Sequence, residues 1–515
     1  MFESIISDNR TEIALQMEET DQTMTQTDRG RYRSSFGATV LFSGVQIFQI
    51  LIRIIKSKFV ALYIGPAGMG IHSLLHSTTD TISTVTNLGL NTSSVKIIAA
   101  AHRDGNREQI NKNVTVQRRL IWITGFIGLL VCATLAPVWS RISFGDNTHI
   151  WSFVFVSAIV LLDQLNKGEL ALLQGMRQKK KLARANIIGQ TLNALITIPL
   201  YYFFGIKAIV AAIVLGSFIS LSVSSMFSRK LGVDSIQISW RETFNIGKEM
   251  INLGFFLSLQ HAMHTIVLWV IRNYVSSVGG LEEVGLYSAG TSIVHVYIGL
   301  VFSAVLTDYF PRLAATKTNE EMTLAVRTQA ELTILLLSPL VVAFLLCCKP
   351  VIILLYSDKF LPIEHMMYWA VGAVLLQAVG WAMSHTLLAK AKPSYFFFNE
   401  LVATVWGLPI KLLCYKNWGL TGFGMATMIC HGIYLIQVLI VTRKLFGLSY
   451  EFSLWKLFIL LHIPVLATIL LKIALPETLS FICGGIVLFI LILFVLYKLD
   501  QKLDIKSVIK NKIRK

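Results

Sequence analysis

Charge is scarce in this sequence. Only 15% of its 515 residues are charged while 54% are hydrophobic, and the mean hydropathy is +0.63. Soluble domains carry about 25% charged residues, because charge keeps a folded surface in water, so this composition excludes an ordinary soluble protein. Cysteine is sparse too. Cys132, Cys347, Cys348, Cys414, Cys430 and Cys483 all lie in or beside apolar stretches. None forms a Cys-x-x-Cys pair or joins histidine at zinc-type spacing, so neither a disulfide framework nor metal ligation is expected. The run Gly65-Pro66-Ala67-Gly68-Met69-Gly70 has no following Lys-Ser/Thr and cannot act as a nucleotide phosphate loop. No cofactor is expected. Without an ATP-binding motif, any work the chain does must draw on a gradient, the membrane potential or removal of product. Residues 1–35 are polar and rich in Glu, Thr, Gln and Arg. They show no cleavable signal peptide and read as a cytoplasmic extension.

What the chain does have is apolar runs of spanning length. About 20 apolar residues cross a ~30 Å hydrocarbon layer as a helix. Spans are predicted at 38–62, 69–95, 120–139, 151–173, 186–204 and 206–227, then at 250–275, 284–310, 330–347, 366–388, 395–415 and 420–442. Two more follow at 454–471 and 479–496. The predicted fold is therefore an all-α integral membrane protein of about 14 transmembrane helices. Its parts are an N-terminal extension (1–35), an N-lobe (36–228, spans 1–6), a C-lobe (244–443, spans 7–12), two extra spans (450–498) and a basic cytoplasmic tail (499–515).

The formal charge of +17 would suggest nucleic acid in a soluble protein. Here the basic residues gather in alternate short connections, such as Lys96 to Arg119 and Arg177 to Arg184. They outnumber those of the opposite set (Arg141, Lys207, Lys349, Lys359, Lys416 and Lys472) by a wide margin. That asymmetry is a topology signal and puts both termini in the cytoplasm; no nucleic-acid partner is expected. The run Arg177-Gln178-Lys179-Lys180-Lys181 fits the same role and contact with anionic membrane lipids. The opposite connections are too short to hold the acceptor and catalytic acid of a glycan-building enzyme, so the chain is not expected to be an enzyme.

A faint repeat is visible. Met69-Gly70-Ile71-His72-Ser73 opens span 2 and Val284-Gly285-Leu286-Tyr287-Ser288 opens span 8, 215 residues later. Two six-helix halves of the same orientation, related by an axis along the membrane normal, would produce it.

A charge near the bilayer centre costs about 2.5–3.5 kcal/mol on insertion scales, so ionisable residues within spans are functional candidates. In span 1, Gln46, Gln49, Arg53 and Lys56 share a helical face, with Lys58 nearby. In span 2, His72, His76, Asp80, Thr84, Asn87 and Asn91 share another. Span 7 holds His261, His264 and Arg272, and span 8 holds Ser288, Thr291, His295 and Asp308. Facing a shared wet cavity, Arg53, Lys56, Lys58 and Arg272 would attract a phosphate or diphosphate, whose oxygens arginine grips in a bidentate way. Asp80 and His72, His76, His261, His264 and His295 are candidates for proton coupling. Plainer roles stand beside these. Lys56 and Lys58 could snorkel to headgroups, Asp80 could pair with Arg53, and the histidines could join helices by hydrogen bonds.

A series of short motifs then carries a resemblance from about residue 36 to 443. They are Lys58-Phe59-Val60-Ala61 before the glycine-rich turn, Leu88-Gly89, Val95-Lys96, Ile271-Arg272-Asn273, Glu283-Val284-Gly285, Pro311-Arg312-Leu313 and Ser357-Asp358-Lys359-Phe360. Ala389-Lys390-Ala391 followed by Glu400 completes the series. In this order and spacing the chain resembles the O-antigen translocase (Wzx, WzxE-like lipid III flippase) branch of the multidrug/oligosaccharidyl-lipid/polysaccharide (MOP) exporter superfamily. The resemblance implies a flippase of the bacterial inner membrane. Such a flippase moves an undecaprenyl-diphosphate-linked oligosaccharide to the outer leaflet by alternating access of two lobes. It also implies diphosphate contacts for Lys58 and Arg272, and a polysaccharide polymerase and chain-length proteins as partners. Where the resemblance would place an Asp and a Lys in span 10, this chain has Ala373 and Gln377, and spans 13 and 14 exceed its twelve. A cation-coupled multidrug antiporter of the same superfamily and a non-transporting scaffold for polysaccharide assembly remain the alternatives.

Overall fold

The computed structural model describes residues 26–233, 236–390 and 393–503, and within these the side chains of 26–47, 256–257, 295–298, 300–301, 303–308, 393 and 503 lie outside the description. Among the described residues every regular element is helical. In lipid only a helix or a closed barrel satisfies its own backbone polar groups, and the apolar runs here are too long and too uniform for barrel strands.

Glycines divide the long helices into spans. Gln26–Asn87 breaks at Gly65 (φ 62°, ψ −173°) and Trp240–Ala315 breaks at Gly280 (φ 79°, ψ −178°). The two breaks are 215 residues apart, the interval of the sequence repeat. Only glycine adopts this backbone conformation at little cost, and Pro66 then starts span 2, where its missing N–H is no loss. The reversals between spans 5 and 6 and between 11 and 12 use Gly205 (φ 54°, ψ −134°) and Gly419 (φ 57°, ψ −144°) in the same way. Spans 3 to 6 are Arg107–Thr134, Ile150–Gly175, Lys179–Phe204 and Ile209–Arg229. Span 9 is Asn319–Leu346. Span 10 is Glu364–Gly372 joined to Val374–Ala389 across a 40° bend. Pro393–Phe446 contains spans 11 and 12, and Phe452–Ala474 and Glu477–Leu503 are spans 13 and 14. This is a fourteen-span, two-lobed fold with two C-terminal helices.

Three local differences from the sequence expectation have simple causes. The first helix is already formed at Gln26, the first described residue, inside the expected extension, where no proline breaks it. Span 2 is interrupted at Leu88-Gly89, both at positive φ, before Leu90–Arg103. Span 3 stops at Thr134, and Ala136–Phe144 forms a separate short helix after it, just as Cys348–Leu355 does after span 9. Each short helix has a proline in its first turns (Pro137, Pro350), which tolerates a helix start but not a continuous ladder.

Among the described residues seven helices are long and apolar enough to cross a membrane, and two bent pairs qualify together. The largest interlobe contact joins Gln26–Asn87 to Trp240–Ala315, while spans 13 and 14 pack on span 9 and on each other.

The crossing of spans 2 and 8 is symmetric. A Cβ at Gly70 would collide with the Leu281 carbonyl, and a Cβ at Gly285 with the Pro66 carbonyl. Each contact maps onto the other by a shift of 215. Ser73 Oγ and Ser288 Oγ, also 215 apart, hydrogen-bond at 2.6 Å, so the pseudo-two-fold axis runs between them. Gly70→Ala and Gly285→Ala should each cost about 1–3 kcal/mol by overpacking, with a double variant less destabilised than the sum. Gly432→Ala, with nothing within 4 Å of its Cβ position, should be neutral. Thermal unfolding of the purified protein checks this. Paired Ser73→Cys and Ser288→Cys should lose two thiols on oxidation, while either single variant should not.

Candidate functional site between the lobes

The site is built where spans 1, 2, 7 and 8 converge. Arg272 stands on span 7, two turns before the Gly280 break, and its Nε is buried without a hydrogen-bond partner. Its electrostatic neighbours are Tyr287 of span 8 and Asp80 of span 2. His72 has His76, Lys56 and Arg272 as its own neighbours. The His72 and His76 rings stack at 6.0 Å, as the i, i+4 spacing requires. Lys56, His72, His76 and Arg272 are thus brought together into one cationic cluster with a single nearby acid. Trp269 Nε1 donates to Thr78 Oγ1 at 3.0 Å and ties span 7 to span 2 beside it.

The structure sends other candidates elsewhere. Lys56, although in the cluster, donates to Asn193 Oδ1 of span 5 at 2.6 Å, so its ammonium is held within the N-lobe. Asp80 is not the partner of Arg53. It accepts from Lys167 of span 4 at 3.4 Å, whereas Arg53 is exposed on span 1. The stripe 72–91 also turns inward part-way along. Asn87 donates to Gln164 at 3.4 Å, and Gln164 is further bonded to Thr124, Thr86 and the Ser83 carbonyl, which makes a buried N-lobe network. A helix of 3.6 residues per turn drifts off a strict face over five turns, which is why the lower part of the stripe leaves the lobe interface.

Lys58 bridges the lobes at the end near the Gly65 and Gly280 breaks. Its Nζ donates to the Ile353 carbonyl at 2.5 Å, reaching the short helix Cys348–Leu355 of the opposite lobe. In the other direction Ser276 Oγ donates to the Ser143 carbonyl on Ala136–Phe144 at 2.6 Å. These two clasps are approximate mates under the lobe symmetry. On the opposite side Lys112 pairs with Glu242 at 2.5 Å and Arg119 donates to the Ile238 carbonyl and Thr243, pinning span 3 to the start of span 7.

His261 and His264 are exposed on the half of span 7 away from Arg272, and His295 lies outside the described residues. Sequence reasoning passed over Lys167, Asn193 and Lys411, although the same cost of charge in lipid that singled out Arg272 applies to Lys411 in span 11. Asn193 carries no such signal and is found only by contact. Among the described residues no group of three His, Cys, Asp or Glu could hold a metal ion.

Comparison with known proteins bears on this arrangement. Residues 37–317 match a family described as polysaccharide biosynthesis protein. The chain is 25% identical over 322 residues to a candidate O-antigen transporter of Shigella flexneri, covering 61% of this chain and 72% of that protein. It is 19% identical over 402 residues to the lipid III flippase of Escherichia coli strain K12, covering 74% of this chain and 94% of that protein. Among solved structures, an inward-facing MATE family multidrug resistance transporter of the MOP superfamily aligns with a TM-score of 0.64 at 17% identity, over 81% of this chain and 99% of that one. The lipid II flippase MurJ in an inward closed conformation gives 0.64 at 11% identity, over 90% and 99%. These structures share the fold.

The pairing of Asp80 can be checked by double-mutant cycles. Lys167→Met with Asp80→Asn should show a coupling of about 0.5–1 kcal/mol, the range for partly exposed pairs. Arg53→Met with Asp80→Asn should show none.

Proposed function

Because this chain belongs to the polysaccharide biosynthesis protein family, we propose that it is a flippase for an undecaprenyl-diphosphate-linked oligosaccharide, a repeat unit of a surface polysaccharide such as O-antigen. It carries that lipid from the inner to the outer leaflet of the bacterial inner membrane, with both termini in the cytoplasm. The observation that carries this reading is Arg272, half-buried between the lobes with its Nε buried and unpartnered. A buried donor left unpaired costs about 1–3 kcal/mol. A diphosphate bound there would supply the missing acceptors in the geometry that a guanidinium fork prefers. His72 and His76 line the same cluster and can donate to further phosphate oxygens, and Lys56 adds positive potential. The naming of related chains as an O-antigen transporter and a lipid III flippase supports the same cargo class.

The cycle follows from the fold. One side is shut by the Gly70–Gly285 crossing, the Ser73–Ser288 bond and the Lys58 and Ser276 clasps, and the cytoplasmic side by the Lys112–Glu242 pair, the Arg119 bonds and the Gly89–Gly254 contact. When the cytoplasmic contacts part, the diphosphate head docks on the cluster, the glycan follows between the parted lobes, and the prenyl tail stays in lipid. Breaking the outer contacts while the lobes close on the inner side releases the head outward. No covalent bond changes, so the protein is a transporter and not an enzyme. Asp80 and the neighbouring histidines are the groups through which a proton gradient would act. Membrane lipids surround it, and a polysaccharide polymerase and chain-length proteins would receive the product.

Deleting the gene should leave a full-length repeat unit on its lipid carrier in the inner leaflet and remove that glycan from the surface. Unchanged lipid and glycan pools, with new sensitivity to cationic dyes, would instead identify a drug exporter. A hydrogen bond to a charged group contributes about 1.5–3 kcal/mol, so Arg272→Ala should slow translocation in vesicles by roughly 10- to 100-fold with normal insertion. Arg272→Lys should retain part of the rate. Full activity of Arg272→Ala would remove the cationic site from the mechanism.

A further inference from the structure

A second buried charge lies outside the interlobe cluster. Lys411 of span 11 lines a cavity of about 180 Å³ whose described walls come from the C-lobe alone, spans 7, 8, 10, 11 and 12. Its ammonium lies 6.0 Å from the centre of the Phe423 ring, and it has no hydrogen bond or ion pair among the described residues. The polar groups that share the cavity are His264, Tyr287, Thr291, Gln377, Thr427 and His431. Among the described residues no carboxylate lines the cavity. The acid of the same span, Glu400, is eleven residues away, about 16 Å along the helix axis, and is already bonded to Tyr434.

We infer that this cavity is a binding site for a small monovalent anion, a halide or a carboxylate, held by Lys411 with Gln377 as a further donor. Three observations converge on it. An ammonium at membrane depth must be compensated, and the ring of Phe423 is only a partial substitute for an anion. The walls are otherwise apolar (Val267, Leu268, Met366), and in such surroundings the attraction between an ammonium and an anion is far stronger than in water. The volume accommodates an anion with several waters and is too small for a lipid-linked oligosaccharide. Tyr287 stands between this cavity and the Arg272 cluster, but the charged side chain on the described walls is Lys411, and the inference holds whatever the protein carries. The anion has two natural sources: chloride from solution, and the carboxylate of an acidic sugar.

The test uses the full chain purified in detergent. Thermal unfolding is followed as chloride or glucuronate is titrated at constant ionic strength against a bulky buffer anion that cannot enter the cavity. The wild type should rise by several degrees and saturate, Lys411→Met should not respond, and Arg272→Met should still respond. A rise with chloride alone assigns a solution anion, and a rise with glucuronate alone assigns an acidic sugar. In halide-free buffer Lys411→Met should be at least as stable as the wild type, since it removes an uncompensated charge. Should that variant not fold, Lys411→Arg keeps the charge and should still respond. Bromide soaked into crystals of the wild type should give an anomalous peak in contact with Lys411 Nζ, a readout that needs no variant. Equal responses of wild type and Lys411→Met, or no response and no bromide peak, would overturn the site.

Discussion

Spans 2 and 8 cross at Gly70 and Gly285 with their backbones in direct contact, and the geometry of the whole molecule hangs on that approach. In a membrane there is little hydrophobic drive between helices, so close packing through small residues has to supply it. Two glycines related by the 215-residue repeat let each helix rest on a carbonyl of the other. The Ser73–Ser288 bond, the Lys58 clasp onto Ile353 and the Ser276 clasp onto Ser143 then gather around the same axis. All of these contacts are local and small. A set of this kind suits an interface that must open, because few strong interactions have to be surrendered at once.

Against this thin set of contacts stand the buried charges. Arg272 has Asp80 as a neighbour, but Asp80 is already engaged with Lys167. The cluster of Lys56, His72, His76 and Arg272 is therefore short of negative charge. Leaving a cation undercompensated at membrane depth costs more than any single hydrogen bond in the interface returns. In the proposed function an anionic guest offsets that imbalance. The C-lobe cavity around Lys411 repeats the imbalance on a smaller scale, with a volume suited to a smaller guest. By contrast, the polar residues around Gln164 are mutually satisfied, and their role is to hold the N-lobe together.

The membrane class, the fourteen spans and the two-lobed repeat were legible because they rest on local properties. A run of apolar residues has few places to go besides lipid, and a glycine-rich turn repeated at a fixed interval marks the same backbone reversal twice. The cost of charge in lipid likewise singles out Arg272 as a candidate, and the structure places it where spans 1, 2, 7 and 8 converge. Partnership was not legible. Which acid meets which base depends on helix rotation and on which spans become neighbours, and neither leaves a periodic trace. Asp80 therefore went to Lys167 and not to Arg53, Lys58 reached the opposite lobe, and Asn87 turned into the N-lobe. Linear order decided how the chain crosses the membrane. Only the packing of one helix against another, over distances that a sequence does not encode locally, decided which of its costly charges found partners.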